Sequence, residues 1–206
     1  SNESVTITDT GSIAAADLNT IDSKTSGVVT VNDATAITGT YVDVIAAYTA
    51  NTSGSVVGLG NEPVTISDTG ITVAQANALD ALTSQPITAT ISTDTIDSLD
   101  NLTGTGNAYT ITVADASVSA SKLNALDAKT TVPVTVSSST ITGTGSELIT
   151  AYGSAGLTGL GTEDIIYGSS TVIGNVGMIN AINALTSGTV TGTVSDGDMA
   201  TLAGIT

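Results

Sequence analysis

Several residue types on which protein chemistry commonly depends are missing from this sequence of 206 residues, which contains no cysteine, histidine or arginine. The absence of cysteine excludes disulfide bonds, thiolate zinc sites and cysteine nucleophiles, and it is compatible with any redox compartment. Without histidine and arginine, the common catalytic triads and phosphate clamps cannot be assembled. We therefore predict that the chain is not an enzyme, and we expect no small-molecule substrate.

Positive charge is also scarce, because three lysines accompany 19 aspartates and glutamates and give a net charge of −16. Contacts to phosphate groups need basic side chains, so nucleic acid binding and binding to anionic lipid are excluded. Lys24, Lys122 and Lys129 are interpreted as exposed helix residues. No apolar run approaches the ~18 residues of a membrane span, so we expect no membrane insertion. The first residues show no signal peptide, and any export signal is expected outside this segment.

Aromatic side chains are nearly absent, since the sequence has five tyrosines and neither phenylalanine nor tryptophan. Hydrophobic residues nevertheless make up 40% of the chain and charged residues only 11%, a balance that argues against disorder. We expect thin core layers of valine, isoleucine, leucine and alanine.

The second half of the sequence repeats phrases of the first half at an offset of about 104 residues. DLNTID at 17–22 returns as KLNALD at 122–127, ITGT at 37–40 returns at 141–144, and GLGNE at 58–62 returns as GLGTE at 159–163. Such periodicity is typical of stacked repeat architectures. We predict two four-coil super-repeats, residues 1–104 and 105–206, in one continuous solenoid.

Within each repeat the hydrophobic period changes from two to three or four. Alternating β-branched and hydroxylated residues predict strands, and they begin at Val5, Val29, Val64, Ile111 and Val134. Apolar residues spaced three or four apart predict short helices, as in Leu18 with Ile21 and Leu123 with Leu126. The predicted fold is an α/β solenoid of about eight strand-turn-helix coils of 20–34 residues, stacked in one elongated core, with an all-β solenoid as the alternative. No polar segment caps either end, so we expect copies to self-associate end to end or laterally.

Aspartates close several predicted strands at corresponding places and are candidate calcium ligands, because calcium prefers oxygen donors. The candidates are Asp9, Asp33, Asp68, Asp115 and Asp196. The simpler interpretation is that they bond to the backbone of a turn. We therefore predict no cofactor and keep calcium as the alternative.

Threonines on the outward side of the predicted strands form a second repeated surface. They are Thr6, Thr8, Thr30, Thr65, Thr88, Thr90, Thr110, Thr112 and Thr135, with Thr191 and Thr193 near the end. At the ~4.7 Å spacing of paired strands, ranks of hydroxyl and methyl groups would suit ordered water or ice. The alternative is that threonine is simply favoured on an exposed pleat.

The two Gly-Leu-Gly segments superficially suggest a phosphate-binding loop. No lysine or helix start accompanies them, so tight corners are the better interpretation. The helix-borne aspartates Asp22, Asp80, Asp100 and Asp127 are interpreted as a solvated face.

The phrases LNTIDSKTSGVVTV, SASKLNALDAKTTVPVTV, TITGTGSELITAY and SDTGITVAQANALDAL cover much of the repeat unit. They resemble the giant tandem-repeat cell-surface proteins of marine cyanobacteria, which include one associated with swimming without flagella. The resemblance implies an extracellular or cell-surface structural polypeptide, acting as a rigid spacer, fibre or coat. The alternative function is an ice-binding or calcium-dependent adhesin solenoid with a flat threonine face.

Overall fold

The computed structural model describes residues 1–168, 175–194 and 199–206, which belong to two compact units. Unit 1 comprises Ser1–Ser92 and Leu102–Thr110, and unit 2 comprises Thr93–Asn101 and Ile111–Thr206. Short parallel strands alternate with helices in both units, so the chain belongs to the α/β class that the sequence indicates.

Unit 1 contains two parallel sheets, with strand orders β1-β3-β5 and β2-β4-β6-β7-β8. Its elements are β1 (Val5–Ile7), β2 (Ser12–Ala14), α1 (Ala15–Asp22), β3 (Val29–Val31), β4 (Ala36–Gly39), α2 (Tyr41–Ser53), β5 (Val56–Val57), β6 (Val64–Ile66), α3 (Val73–Asp80), β7 (Ile87–Thr90) and β8 (Ala108–Thr110).

The described residues of unit 2 also form two parallel sheets, with orders β9-β11-β13 and β10-β12-β14-β15. Its elements are α4 (Ile96–Leu99), β9 (Thr112–Val113), β10 (Ser117–Ser119), α5 (Ala120–Asp127), β11 (Val134–Val136), β12 (Thr140–Gly143), α6 (Gly145–Gly153), β13 (Leu157–Thr158), β14 (Asp164–Tyr167), α7 (Val176–Asn183), β15 (Val190–Gly192) and α8 (Met199–Leu202).

Strand alternation determines which side chains enter the core of each unit. In β6 and β11 the outer two residues are buried and the central threonine is exposed, because successive side chains of a strand point to opposite faces. The strands predicted from alternation at Val5, Val29, Val64 and Val134 are confirmed.

Four of the helices have eight residues and follow one pattern: α1, α3, α5 and α7. Their fourth and seventh residues are apolar and lie on one helix face, as Leu123 and Leu126 do in α5, where both are fully buried. Isolated helices of this length are marginal in water, so packing of this face against the sheets supplies their stability.

The predicted α/β solenoid with one elongated core is wrong. In the described part of the chain, the strands form four separate small parallel sheets within two compact units and make neither a closed barrel nor a solenoid. The helices also exclude the all-β alternative. A sequence period fixes which segments become strands, but the strands here are only two to four residues long, and strand-edge pairing decides how many sheets they join.

The predicted super-repeats at 1–104 and 105–206 are defined by sequence similarity, whereas the compact units are defined by the contacts between residues. Between residues 93 and 110 the chain alternates between the units: Thr93–Asn101 belongs to unit 2 and Leu102–Thr110 to unit 1. The sequence-based division stays a prediction.

Candidate functional site

The predicted calcium ligands do not share one environment. Asp9 and Asp33 are exposed beyond the ends of β1 and β3, whereas Asp68 and Asp115 are half-buried. Asp196 lies outside the described residues. Across the part of the chain that the structure describes, no three aspartates or glutamates are grouped so that they could hold a metal ion. Calcium binding stays a prediction, and a fall in melting temperature on chelation would test it.

Asp68 and Asp115 each bond to the start of a helix in their own unit. Asp68 Oδ2 accepts a hydrogen bond of 2.6 Å from the N–H of Tyr41, the first residue of α2. Asp115 Oδ2 accepts one of 2.9 Å from the N–H of Ile96, the first residue of α4. The first N–H groups of a helix lack partners within the helix and favour negative charge, so these carboxylates act as caps supplied from a later segment.

The threonines of the predicted surface array lie in short ranks that are distributed over three sheets. Thr112, Thr135 and Thr158 are direct neighbours across β9, β11 and β13, and Thr38, Thr65 and Thr88 are neighbours across β4, β6 and β7. The two remaining pairs are Thr6 with Thr30 and Thr90 with Thr110.

Exposure differs along these ranks. Thr30 and Thr112 are half-buried, Thr8 lies beyond the end of β1, and the other predicted members are exposed. The ranks are interrupted by other side chains, because Thr30 has Val57 as its neighbour on β5 and Thr88 has Ala108 on β8. What this face binds stays a prediction.

Sequence reasoning missed a set of asparagines that connect successive segments within each unit. The fifth residue of each eight-residue helix is an asparagine. Asn19, Asn124 and Asn180 donate from Nδ2 to main-chain oxygens 23 or 24 residues further along the chain, at 2.8–3.0 Å. The recurrence of asparagine directly after a buried leucine or isoleucine was the available signal.

The interpretation of the helix-borne aspartates as a solvated face is wrong for three of the four. Asp22, Asp80 and Asp127 are half-buried at helix ends. Each accepts a side-chain hydrogen bond from a later segment of its unit: from Ser55, Asn107 and Ser154, respectively. Asp100 is exposed.

Threonines in the turns after the helices make a third recurrent bridge. Thr83 and Thr186 each accept a hydrogen bond from the N–H two residues later and donate one to the main-chain oxygen of an earlier glutamate. Those glutamates are Glu62 and Glu163, at donor–acceptor distances of 2.8 and 2.6 Å. Thr25 repeats the arrangement with the main-chain oxygen of Glu3.

The Gly-Leu-Gly-x-Glu loop of unit 1 encloses its own glutamate, which sequence reasoning did not single out. Glu62 is only 5% exposed. Its Oε1 accepts a hydrogen bond of 2.6 Å from the hydroxyl of Tyr48 on α2. The Gly60 and Asn61 N–H groups donate to the same carboxylate, each at 2.9 Å. The loop is a tight corner, as predicted, with the left-handed φ of +100° at Gly58.

The corresponding loop of unit 2 has the same arrangement. Glu163 is 5% exposed and accepts a hydrogen bond from the hydroxyl of Tyr152 on α6. The Gly161 and Thr162 N–H groups donate to its carboxylate at 2.9 and 3.0 Å. The tyrosine, preceding the Gly-x-Glu segment in both halves, was the signal that could have identified these buried pairs.

Burial and hydrogen bonding oppose each other at Glu163. Burial acts to raise its pKa, but the bonds donated by Tyr152, Gly161 and Thr162 together outweigh burial and hold the pKa below the ordinary value of 4.5. For Tyr152 burial, followed by the adjacent carboxylate, raises the pKa of the hydroxyl above its usual value of 10. Tyr152 is therefore a protonated donor and Glu163 an ionised acceptor at neutral pH.

Lys122 of α5 pairs with Asp97 of α4 on the surface of unit 2. Hydrogen bonding to Asp97 raises the pKa of the ammonium group. The lysine side chain is 38% exposed and the aspartate 77% exposed, a setting in which ion pairs contribute little stability.

None of the described helices is both long enough and apolar enough to cross a membrane. Comparison of the chain with known protein families, curated proteins and solved structures gave no match.

Proposed function

We propose that the chain is a non-enzymatic structural segment of an extracellular or cell-surface protein, acting as a spacer, fibre or coat. The observation that carries this proposal is that its polar side chains form hydrogen bonds between segments of the fold. Asparagines, helix-end aspartates and turn threonines bridge segments 21 to 33 residues apart within one unit. Side chains bonded to neighbouring segments in this way hold the fold together and are not free to bind or transform a ligand.

One cleft among the described residues agrees with this proposal. The cleft of ≈ 310 Å³ in unit 2 is lined by Thr93, Asp94, Thr95, Ala114 and Asp115. Of these side chains, Asp115 already bonds to the start of α4. Thr95 caps the same helix by accepting a hydrogen bond from the N–H of Ser98, so both side chains serve the fold. The sequence resemblance supports the surface location.

The cellular part of the proposal is tested with antibodies against the chain. Antibodies are expected to label intact cells that produce it. Labelling that requires permeabilisation of the cells would contradict a surface location.

The structural part is tested by stretching single molecules. Discrete unfolding steps are expected, and Asn124→Ala should lower the unfolding force because it removes the 3.0 Å bond to the Glu147 oxygen. Asn32→Ala, at an exposed position after β3, is the matched control. Equal forces for both variants would show that the asparagine bridge bears no load.

Self-association of copies is part of the same proposal. Sheet β1-β3-β5 has β1 at one edge, and edge strands present unpaired N–H and C=O groups to a second chain. The net charge of −16 opposes contact between copies, and salt screens that repulsion. Analytical ultracentrifugation is expected to show mass increasing with salt concentration, whereas a constant monomer mass would refute association.

A second candidate function is ordering of water or ice by a threonine rank. The observation that favours it is the rank Thr112, Thr135 and Thr158, whose members are direct neighbours on parallel strands at the ~4.8 Å spacing of a sheet. Thr135 is exposed in its centre. The test is thermal hysteresis, which should be abolished by Thr135→Lys and retained in Thr20→Lys, a control on the exposed side of α1. Absence of hysteresis in the unmodified chain would exclude this function.

A further inference from the structure

We propose that each Gly-Leu-Gly-x-Glu loop is an acid-released latch, in which an ionised glutamate holds the loop against the helix that precedes it. The latch residues are Tyr48, Gly60, Asn61 and Glu62 in unit 1, and Tyr152, Gly161, Thr162 and Glu163 in unit 2.

The hydrogen bonds at the Glu163 carboxylate all run in one direction. All the groups bonded to the Glu163 carboxylate are donors: the Tyr152 hydroxyl and the N–H groups of Gly161 and Thr162. An ionised carboxylate only accepts hydrogen bonds, whereas a protonated one carries an O–H donor. The site is therefore complementary to the anion and not to the acid.

Protonation of Glu163 places a new donor among these groups. When Glu163 takes a proton from solvent, one of its oxygens becomes a donor inside a site that is 5% exposed. The tyrosine hydroxyl can rotate away, but the main-chain N–H groups are fixed by the loop. A donor then faces a donor, which is costly in a buried position. Opening of the loop relieves the conflict, and no covalent bond changes.

Few groups of the described residues bond to each glutamate. From the preceding helix, the titratable group is Tyr152 at Glu163 and Tyr48 at Glu62. From the following turn, Thr186 and Thr83 contact the main-chain oxygen of the glutamate and do not titrate in this range. Among the described residues, no lysine is bonded to either carboxylate. The lowered pKa of Glu163 agrees with this environment.

The two latches differ in one respect that makes them distinguishable. In unit 1, Asn51 of α2 also forms two hydrogen bonds with the loop. It donates to the Leu59 main-chain oxygen at 3.3 Å and accepts from the Leu59 N–H at 3.1 Å. The residue three positions after Tyr152 is Ala155, and α6 already ends at Gly153. Among the described residues, the loop of unit 2 has no equivalent of these Asn51 bonds and should open more widely once its glutamate is protonated.

The test is amide hydrogen exchange of the full chain by NMR between pH 7 and pH 3, expressed as protection factors. Protection at Gly161 and Thr162 is expected to fall by roughly ten-fold or more on acidification, before the β11 amide of Thr135 loses protection. Protection at Gly60 and Asn61 should fall by a smaller factor, and Asn51→Ala should remove this difference.

Two variants separate the latch from general acid unfolding. Glu163→Gln should show the roughly ten-fold loss already at pH 7, with little further change on acidification. Asp33→Asn, which removes an exposed carboxylate, should behave as the unmodified chain. If Glu163→Gln does not fold, Tyr152→Phe removes one donor and should shift the loss of protection to higher pH.

Three results would overturn the proposal. They are loop protection that is unchanged down to pH 3, loop protection that is lost together with that of Thr135, and a Tyr152→Phe variant whose pH profile matches the unmodified chain.

Discussion

Replacement of Gly58 by alanine is expected to destabilise unit 1 well beyond the effect of an ordinary glycine substitution. Gly58 follows β5 with a φ of +100°. An added Cβ would lie 2.0 Å from the main-chain oxygen of Val31, whereas such atoms normally approach to roughly 3.5 Å. Val31 ends β3, the partner of β5. The clash is thus between backbones, and it can be relieved only by separating two paired strands.

Gly54 supplies a matched control four residues earlier. It caps the C-terminus of α2 with a φ of +88°, and a Cβ there meets no atom within 4 Å. The left-handed conformation destabilises alanine by ~1–2 kcal/mol. Alanine also lowers the conformational entropy of the unfolded chain, which offsets ~0.4–1 kcal/mol of that cost. Gly54→Ala should therefore cost about 1 kcal/mol. Gly58→Ala adds an overpacking cost of ~1–3 kcal/mol, so we expect about 2–4 kcal/mol.

Urea unfolding followed by circular dichroism measures both free energies by linear extrapolation. Gly159→Ala extends the test to unit 2, since its Cβ would lie 2.3 Å from the Val136 main-chain oxygen. A Gly58→Ala variant within about 0.5 kcal/mol of Gly54→Ala would refute the clash argument, because both positions share the same conformational cost.

Three further predictions concern charge. Asp68→Ala leaves the first N–H of α2 without its acceptor and should lower the free energy of unfolding by ~1 kcal/mol in urea; an unchanged value would show that water replaces the cap. The hydrogen bond from the N–H of Thr144 holds the pKa of Glu147 below 4.5. The ionised Glu147 therefore stabilises the fold above its unfolded-state pKa, and this stabilisation is lost as the pH falls through the folded-state pKa. Glu147→Gln should flatten the acid side of the stability profile, and a profile identical to that of the unmodified chain would contradict this. Lys122→Ala should leave the melting temperature within experimental error, because its partner Asp97 is mostly exposed; a clear fall would indicate a stronger ion pair.

Local structure was predictable because it depends on nearest neighbours along the chain. The alternation in Val64–Ile66 and Val134–Val136 sufficed for strands, and the spacing of Leu123 and Leu126 sufficed for a helix. The glycines of the Gly-Leu-Gly segments indicated corners since left-handed backbone favours glycine.

The roles of individual carboxylates were not predictable. Asp9 and Asp68 follow strands in the same way, yet Asp9 is exposed while Asp68 caps α2. Glu62 and Glu163 carry the type of side chain that is usually solvated, yet both are buried. Their partners lie 11 or more residues away on a helix, and only the fold determines whether a helix side chain reaches a loop.

The sequence by itself determined the α/β class, the strand and helix segments, the acidic surface and the shortage of catalytic side chains, because each depends on composition or on spacing within a few residues. The tertiary structure decided that the strands join four sheets in two units, and not the solenoid that the repeats suggested. It also decided which polar groups bridge segments and which glutamates are buried. These features depend on hydrogen bonds between residues distant in sequence, whose formation requires the backbone to bring specific donors and acceptors within about 3 Å of one another.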